Sequence, residues 1–217
     1  MLVLLLSLAS AGDLDFSPDR GAIGDSTTTP GIGHVILEAG VSAVFDDTVD
    51  VGTAGLVGRF GVDDGVELRL RLPDIRFADG VSNGSFGFGA KFAATAAERW
   101  GVSMVPELRV DPSNGDLGVN LSANLSFGLE RFSAWAQSEV LFAGEVERLF
   151  VGLGASLSFG SAAAYVNVGK DVPGGEMVGG GGTFLLSDST QVDVGVDLYN
   201  QGESWLPVVV GGFAVGF

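Results

Sequence analysis

Hydrophobic residues alternate with small or polar residues along most of the chain from His34 onward. The clearest stretch runs from Leu117 to Leu129, where every second residue is apolar and the residues between are Gly, Asn or Ser. A period of two places successive side chains on opposite faces of an extended chain, so it is typical of a β-strand with one apolar face. Turn-forming residues interrupt the pattern at regular intervals, which predicts a series of strands joined by turns.

The alternation predicts twelve strands. No helical pattern separates them, so strands that are neighbours in sequence are expected to pair antiparallel. Their expected bounds are 34–45, 51–62, 65–73, 84–95, 100–111, 116–129, 131–142, 146–159, 162–170, 177–186, 190–200 and 204–217.

The connections between these strands fall into two classes. Alternate ones are tight, as at 63–65 and 160–161, whereas the others include longer acidic segments such as 73–84 and 171–176. Short turns at one rim, longer loops at the other and an even strand number are typical of bacterial outer-membrane barrels. The sequence therefore predicts an all-β, twelve-stranded antiparallel up-and-down transmembrane β-barrel over residues 34–217.

The polar faces of the predicted strands carry a balanced set of charges, although the whole chain has 27 acidic and 11 basic residues and a net charge of −16. A closed lumen must pair its charges, whereas water-facing strands rarely do so beside such acidic loops. We therefore expect the apolar faces to contact lipid; a soluble secreted sandwich, with the opposite orientation, is the alternative. The polar faces would then form a lumen constriction from Glu38, Arg59, Glu67, Arg69, Arg71, Lys91, Glu107, Arg109, Glu139, Arg148, Asp193 and Asp197.

Within this set, Arg59, Arg69 and Arg71 share a face on adjacent predicted strands, with Glu38 and Glu67 as expected partners. Two interpretations stay open. The charges could form a constriction whose field orients a solute, or a salt-bridged plug that stabilises a narrow barrel.

Two further features bear on the two faces of the barrel. Glycines on the polar face, such as Gly154 and Gly179, are expected to leave room for arginine side chains to lie across the lumen.

Aromatic residues near the strand ends of the apolar face match the girdles found at membrane interfaces. These residues are Phe45, Phe60, Trp100, Phe127, Phe132, Phe159 and Trp205.

Composition excludes several classes of protein. A mean hydropathy of +0.38 excludes disorder, and the strong negative charge disfavours nucleic acid as a partner. The chain has no cysteine and one histidine, so we expect no disulfide, metal site or cofactor. His34 has no candidate serine beside it, which argues against the lipase activity of some outer-membrane barrels.

Residues 1–11, MLVLLLSLASA, combine a short apolar run with a small-x-small ending, as a signal peptide does. A basic n-region is missing, so we expect the true start to lie upstream. Residues 12–33 would then form an N-terminal periplasmic or plug-like segment ahead of the barrel.

The last six residues, GFAVGF, resemble the assembly signal of outer-membrane barrels. The matching positions are Gly212, Val215 and the terminal Phe217. The resemblance implies recognition by the barrel-assembly machinery.

Several segments of the first half resemble the family of outer-membrane transporters named after the meta-pathway of phenol degradation. They are DR at 19–20, STTTPG at 26–31, HVILEAG at 34–40, GLVGRFGVDDGVELRLRLP at 55–73 and GFGAKF at 87–92. The resemblance implies a barrel that lets small, often aromatic or hydrophobic, compounds cross the outer membrane.

The predicted function is therefore an outer-membrane channel or transporter for small solutes, working as a monomer without a cofactor. The alternative is a non-conducting structural or adhesive barrel whose lumen is closed by ion pairs. Expected partners are outer-membrane lipid and lipopolysaccharide. Divalent cations could bridge lipopolysaccharide to the acids of the longer loops, Asp74 and Asp171 among them, but no loop spaces its acids as a calcium motif does, which favours a plain solubilising surface.

Overall fold

The computed structural model describes residues 26–46, 49–77, 81–97, 99–200, 202 and 204–217. No helix in these ranges is long and apolar enough to cross a membrane. The predicted signal peptide and residues 12–25 of the predicted N-terminal segment lie outside the described residues.

Fourteen β-strands make up the regular structure of the described residues. They are β1 (Val35–Phe45), β2 (Val49–Asp63), β3 (Val66–Leu72), β4 (Ile75–Phe77), β5 (Val81–Asn83), β6 (Phe86–Ala97), β7 (Trp100–Val110), β8 (Leu117–Leu129), β9 (Phe132–Ala143), β10 (Glu145–Phe159), β11 (Ala162–Val172), β12 (Glu176–Ser187), β13 (Thr190–Asn200) and β14 (Trp205–Gly216).

Twelve of these strands close into an antiparallel barrel. Each strand of the set β1–β3 and β6–β14 pairs with its neighbour in sequence, and β1 pairs with both β2 and β14. The predicted number of barrel strands, their antiparallel pairing and their approximate bounds are confirmed. Closure removes the free edges that would otherwise have to satisfy backbone groups inside a membrane.

The hairpin of β4 and β5 was not predicted. It lies within the long connection 73–84, where β4 pairs with the first part of β2 and Thr53 Oγ1 accepts a hydrogen bond from Ile75 N at 2.7 Å. Pro73, which has no N–H to donate, separates β3 from β4. β3 is short, and the β4–β5 hairpin takes its place beside the first part of β2, at the end of the barrel away from the tight turn at 63–65.

The two faces of the barrel have the predicted orientation. On β3, Leu68 and Leu70 are exposed on the outer surface, and Leu70 keeps 52% of its accessible area. Arg69, which lies between them, keeps only 2% because it points into the interior, here called the lumen. Apolar residues therefore cover the outside and charged residues the inside, the reverse of a soluble protein.

Aromatic side chains mark both ends of the outer surface. Phe60, Trp100, Phe132 and Phe159 are exposed at the rim of the tight turns, called the short-turn rim, whereas Phe45 and Trp205 are exposed at the opposite, long-loop rim. Phe127 packs against Trp100 with a ring-centroid distance of 4.8 Å. The positions match aromatic girdles at the two interfaces of a membrane.

β2 contains a β-bulge at Gly55, where its pairing with β1 changes register. The pairing of β1 with β2 shifts between Ala39 and Val41, and Gly55 has a φ of 63°, a conformation that glycine adopts without strain. A Cβ atom at Gly55 would lie 2.9 Å from Asp74 Oδ1. The bulge thus brings the start of the β4–β5 hairpin against the lumenal side of β2.

Candidate functional site

A buried network of charges, here called the inner ion cluster, joins Glu38, Arg59, Glu67, Arg69 and Lys91. Arg59 binds Glu67 through two hydrogen bonds, of 2.9 Å from Nε and 2.8 Å from Nη2, and binds Glu38 at 2.9 Å through Nη1. Arg69 and Lys91 lie 3.5 Å and 3.9 Å from Glu67 Oε1. Removing charges from water costs several kcal/mol per ion, so only such dense pairing makes this burial tolerable.

The inner ion cluster also holds the chain that precedes β1. The carbonyl oxygen of Thr28 accepts hydrogen bonds from Arg59 Nη2 at 3.1 Å and from Lys91 Nζ at 3.3 Å. The carbonyl oxygen of Ser26 accepts one from Ser103 Oγ at 3.2 Å. Residues 26–30 therefore lie inside the lumen, beside the charged walls of β2, β6 and β7.

Two glycines make room for this segment. A Cβ atom at Gly61 would overlap the backbone oxygens of Pro30 and Gly31, and one at Gly101 would overlap the hydroxyl of Thr27. The segment approaches Gly61 through its backbone and Gly101 through the side chain of Thr27, and both contacts require a residue without a side chain. The sequence pattern did not indicate these contacts, because they join residues far apart in the chain.

A second cluster joins Arg71, Glu107 and Arg109 nearer the long-loop rim. Arg71 Nε lies 3.3 Å from Glu107 Oε1, and Arg109 contacts the same oxygen. Gly87 lies between the two arginines, and a side chain there would collide with the carboxylate. The prediction that Arg71 joins Arg59 and Arg69 is thus only partly right, because Arg71 pairs with Glu107 instead.

A third cluster lies on the wall of β9–β13. Arg148 holds Asp171 through two hydrogen bonds, of 2.6 Å and 2.9 Å, and lies 3.7 Å from Glu139. Tyr199 donates a hydrogen bond to Asp171, and Arg148 lies over the ring of Phe150 at 5.8 Å from its centroid.

Asp171 was assigned to an outer acidic loop, and that expectation is wrong. β11 continues to Val172, so Asp171 lies on the inner face of the strand and is buried. The alternation of Tyr165, Asn167 and Gly169 with outward residues extends to Asp171, and this signal could have placed it in the lumen.

The remaining predicted lumen residues lie on β13. Asp193 is buried and Asp197 is half-buried, both on the inner face of the strand. Among the described residues, no ion pair or hydrogen bond involves Asp197. The twelve predicted charges therefore share the lumen; ten of them belong to three clusters, and Asp193 and Asp197 lie on β13.

Uncharged groups on the inner faces of β8, β9 and β11 were not predicted as site residues. Four amide oxygens and one indole N–H there are buried without a hydrogen-bond partner among the described residues. They are Asn120 Oδ1, Asn124 Oδ1, Gln137 Oε1, Asn167 Oδ1 and Trp135 Nε1. Unpaired buried polar groups are rare in proteins, so the lumen must supply their partners as water or solute.

A cavity of about 390 Å³ opens the lumen at the short-turn rim. Thr27 and Thr28 form one side of it, and Ser126, Ser133 and Ser158 line the wall of β8–β10. Residues 26–30 therefore leave part of this end of the lumen accessible.

The structure agrees with solved outer-membrane channels at low sequence identity. The KdgM porin in complex with disordered oligogalacturonate matches with a TM-score of 0.64 and 10% identity, over 85% of this chain and 99% of that one. The COG4313 outer membrane channel from Pseudomonas putida F1 gives 0.58 and 11%, over 85% and 94%. The CymD monoaromatic hydrocarbon channel gives 0.50 and 10%, over 84% and 87%.

The chain is a bacterial outer-membrane β-barrel. Its closed twelve-stranded wall has the fold of these channels, its apolar exterior and charged interior are typical of a membrane-spanning barrel, and the predicted fold and location are confirmed. Outer membrane phospholipase A from Escherichia coli has a similar fold, with a TM-score of 0.52 and 9% identity over 91% of this chain and 95% of that one, so the fold alone does not define activity. No family model matches the sequence, and no curated protein does.

Two features that bear on other roles lie near the short-turn rim or the strand seam. His34 precedes β1 at the short-turn rim, and its Nδ1 atom faces Gly31. Among the described residues, no group of three or more His, Asp or Glu is arranged to hold a metal ion. At the C-terminus, the backbone of Phe217 exchanges two hydrogen bonds with Val35, of 2.8 Å and 3.0 Å, at the seam between the last and first strands.

Proposed function

We propose that this barrel is a channel that lets small solutes cross the outer membrane through its charged lumen. The observation that carries the proposal is the accessibility of the charges nearest the long-loop rim. Arg148 keeps 46% of its side-chain area exposed, and Arg71 and Arg109 keep about a quarter. Side chains of a purely structural salt-bridged plug would be as buried as Arg59 and Glu67.

The lumen charges are proposed to have two roles, one structural and one in contact with solute. The inner ion cluster supports the wall and binds residues 26–30, whereas the clusters of Glu107 and Asp171 face the solute that enters from outside. Transverse fields from such groups would favour solutes of matching charge or dipole.

Residues 12–33 are proposed to be a plug-like segment that narrows the periplasmic end. The hydrogen bonds from Arg59 and Lys91 to Thr28 support this role, because they fix residues 26–30 in the lumen. The cavity beside Thr27 then provides the remaining passage.

Two similarities bear on the class of solute, one in sequence and one in structure. The resemblance to the phenol-degradation transporter family favours small aromatic or hydrophobic compounds, and the similarity to a monoaromatic hydrocarbon channel is compatible with this. The similarity to a porin in complex with oligogalacturonate supports hydroxyl-rich solutes as a second class.

The further assignments concern partners and chemistry. We propose a monomer in contact with lipid and lipopolysaccharide, assembled by the barrel-assembly machinery through Gly212, Val215 and Phe217. Enzymatic activity is not proposed, because His34, at the start of β1, has no candidate serine beside it in the sequence.

Conductance across a planar lipid bilayer tests the proposal. The channel should carry an ionic current, and Arg148→Ala should shift its ion selectivity toward cations, because a positive charge is removed from the accessible part of the lumen. Lys170→Ala is the matched control, because Lys170 pairs with Glu176 on the exposed outer surface. Absence of current in the full chain and in a variant lacking residues 12–33 would instead establish the non-conducting, ion-pair-plugged barrel.

A further inference from the structure

The unpaired polar groups of the lumen come together around one part of the wall. Trp135, Asn167 and Asp197 lie in one row across the strands, in which Trp135 is opposite Gly154, Gly154 opposite Asn167, Asn167 opposite Gly179, and Gly179 opposite Asp197. Asn124 and Gln137 are opposite each other one row nearer the long-loop rim. We call these five side chains, Asn124, Trp135, Gln137, Asn167 and Asp197, the amide belt.

The two glycines of the row shape the amide belt. The indole of Trp135 lies across Gly154, where a Cβ atom would overlap the ring. A Cβ atom at Gly179 would overlap Asp197 Oδ1 and lie 2.8 Å from Asn167 Oδ1. Glycine therefore leaves room for an indole and two oxygen acceptors, rather than for the arginine side chains that the sequence predicted here.

The amide belt has more hydrogen-bonding capacity than the described residues use. Asn124, Gln137 and Asn167 keep 4%, 7% and 4% of their area exposed, and the side-chain oxygen of each lacks a donor among the described residues. The indole N–H of Trp135 likewise lacks an acceptor there. A solute in this part of the lumen would have to donate several hydrogen bonds and accept one.

These requirements select one chemical class. A hydroxyl group both donates and accepts, so a polyol can satisfy the amide oxygens and the indole N–H together. The apolar face of the indole suits the C–H surface of a sugar ring. A hydrocarbon offers no donor, and an anionic solute would be repelled by Asp197.

We propose that the amide belt is a binding site for a neutral, hydroxyl-rich solute such as a mono- or disaccharide. This inference rests on the proposed channel function, because the solute must enter the lumen. Ser126, which lines the cavity at the short-turn rim, is opposite Trp135, so the cavity leads directly to the belt. The site is thus the point at which a sugar would be held before it leaves on the periplasmic side.

The fluorescence of Trp135 tests the site without any measurement of transport. The chain has three tryptophans, and Trp100 and Trp205 face outward, with 44% and 47% of their area exposed. The variant Trp100→Phe/Trp205→Phe leaves Trp135 as its single tryptophan. In detergent micelles, glucose should change its fluorescence saturably, and gluconate, the matched anionic sugar acid, should bind about tenfold more weakly or worse.

Substitutions in the same background separate binding from a general effect of sugar. Asn124→Ala/Gln137→Ala should weaken the apparent affinity for glucose about tenfold, since two hydrogen bonds are lost. Ser138→Ala, on the outward face of β9, should leave it unchanged. If the double variant does not assemble, Asn167→Ala alone should weaken glucose binding several-fold.

Two results would overturn the inference. One is a fluorescence that glucose does not change, which would mean that water alone occupies the belt. The other is a glucose response that the amide substitutions leave intact. Bilayer conductance is independent of both, so a conducting barrel without glucose binding refutes the sugar site only, and glucose binding without conductance refutes the channel only.

Discussion

Arg59 on β2 and Glu67 on β3 form an ion pair through two hydrogen bonds, and neither side chain is exposed to solvent. Each would be expensive to bury alone, and each makes the burial of the other possible. The pair also fixes the position of residues 26–30, because Arg59 uses its remaining N–H groups on Glu38 and Thr28. The stability of the wall and the position of residues 26–30 in the lumen therefore depend on the same guanidinium group.

The first prediction concerns this pair. Arg59→Ala should destabilise the barrel by about 3–5 kcal/mol, because it leaves two buried carboxylates with fewer partners. Urea unfolding in detergent micelles, followed by tryptophan fluorescence, measures the change. Lys170→Ala removes an exposed ion pair and should cost roughly 0–1 kcal/mol. Equal losses in the two variants would show that the inner ion cluster does not stabilise the fold.

The second prediction concerns the contact between Gly61 and the segment that precedes β1. Gly61→Ala places a methyl group against the backbone oxygens of Pro30 and Gly31, which must move away. We expect residues 26–31 to leave their position, with a larger single-channel conductance and faster protease cleavage in this segment. Gly58→Ala, on the same strand, is the matched control, since its added Cβ atom would make only ordinary van der Waals contacts, the nearest being Leu37 Cδ2 at 3.6 Å. A Gly61→Ala barrel with normal conductance and normal protease resistance would contradict the proposed role of this segment.

The fold could be predicted from the sequence because the membrane imposes a simple rule. Every second residue of a strand faces lipid, so the alternation of Leu68, Arg69 and Leu70 defines both the strand and its orientation. The β4–β5 hairpin was not predicted because its strands have only three residues each, too few for a period of two to be recognised.

The lumen was only partly predictable. Alternation identifies which residues point inward, but partners across a closed barrel depend on register and side-chain reach. Arg71 pairs with Glu107, 36 residues away, rather than with the nearer Glu67. Apart from Asp197, the amide belt carried no charge signal, and only the arrangement of Asn167 and Asp197 over Gly179 reveals it as a site.

The third prediction concerns pH and the loop between β7 and β8. Ser113 donates two hydrogen bonds to Asp111 Oδ1, from its hydroxyl at 2.6 Å and its backbone N–H at 2.7 Å. These bonds favour the ionised carboxyl and lower the pKa of Asp111 below its ordinary value of 3.8. The stabilisation of the loop is complete above that ordinary value and is lost as the pH falls through the lowered pKa.

Replacing the serine tests this assignment. Ser113→Ala removes the hydroxyl donor and should raise the pKa of Asp111 toward 3.8, as followed by carbon NMR of labelled aspartate in detergent micelles. Ser138→Ala, far from this loop on β9, should leave the titration unchanged. An unchanged Asp111 titration in the Ser113 variant would mean that the hydroxyl does not lower the pKa of Asp111.

The last prediction concerns the selectivity of the outer half of the lumen. Glu107 is the shared partner of Arg71 and Arg109, both of which are partly accessible. Glu107→Gln removes its charge with little change of shape, so the two guanidinium groups face the lumen with less compensation. We expect the reversal potential in a salt gradient to shift toward anions, because the local field at the constriction becomes more positive.

The control for this change is a carboxylate outside the lumen. Glu176→Gln removes the same charge from the exposed pair with Lys170 and should leave the reversal potential nearly unchanged, because solvent and salt screen that site. Glu107 is buried beside the ion path, so its charge is screened far less. Equal shifts in both variants would mean that total charge rather than the lumen cluster sets selectivity. A shift confined to Glu107→Gln would locate the selective element at Arg71 and Arg109.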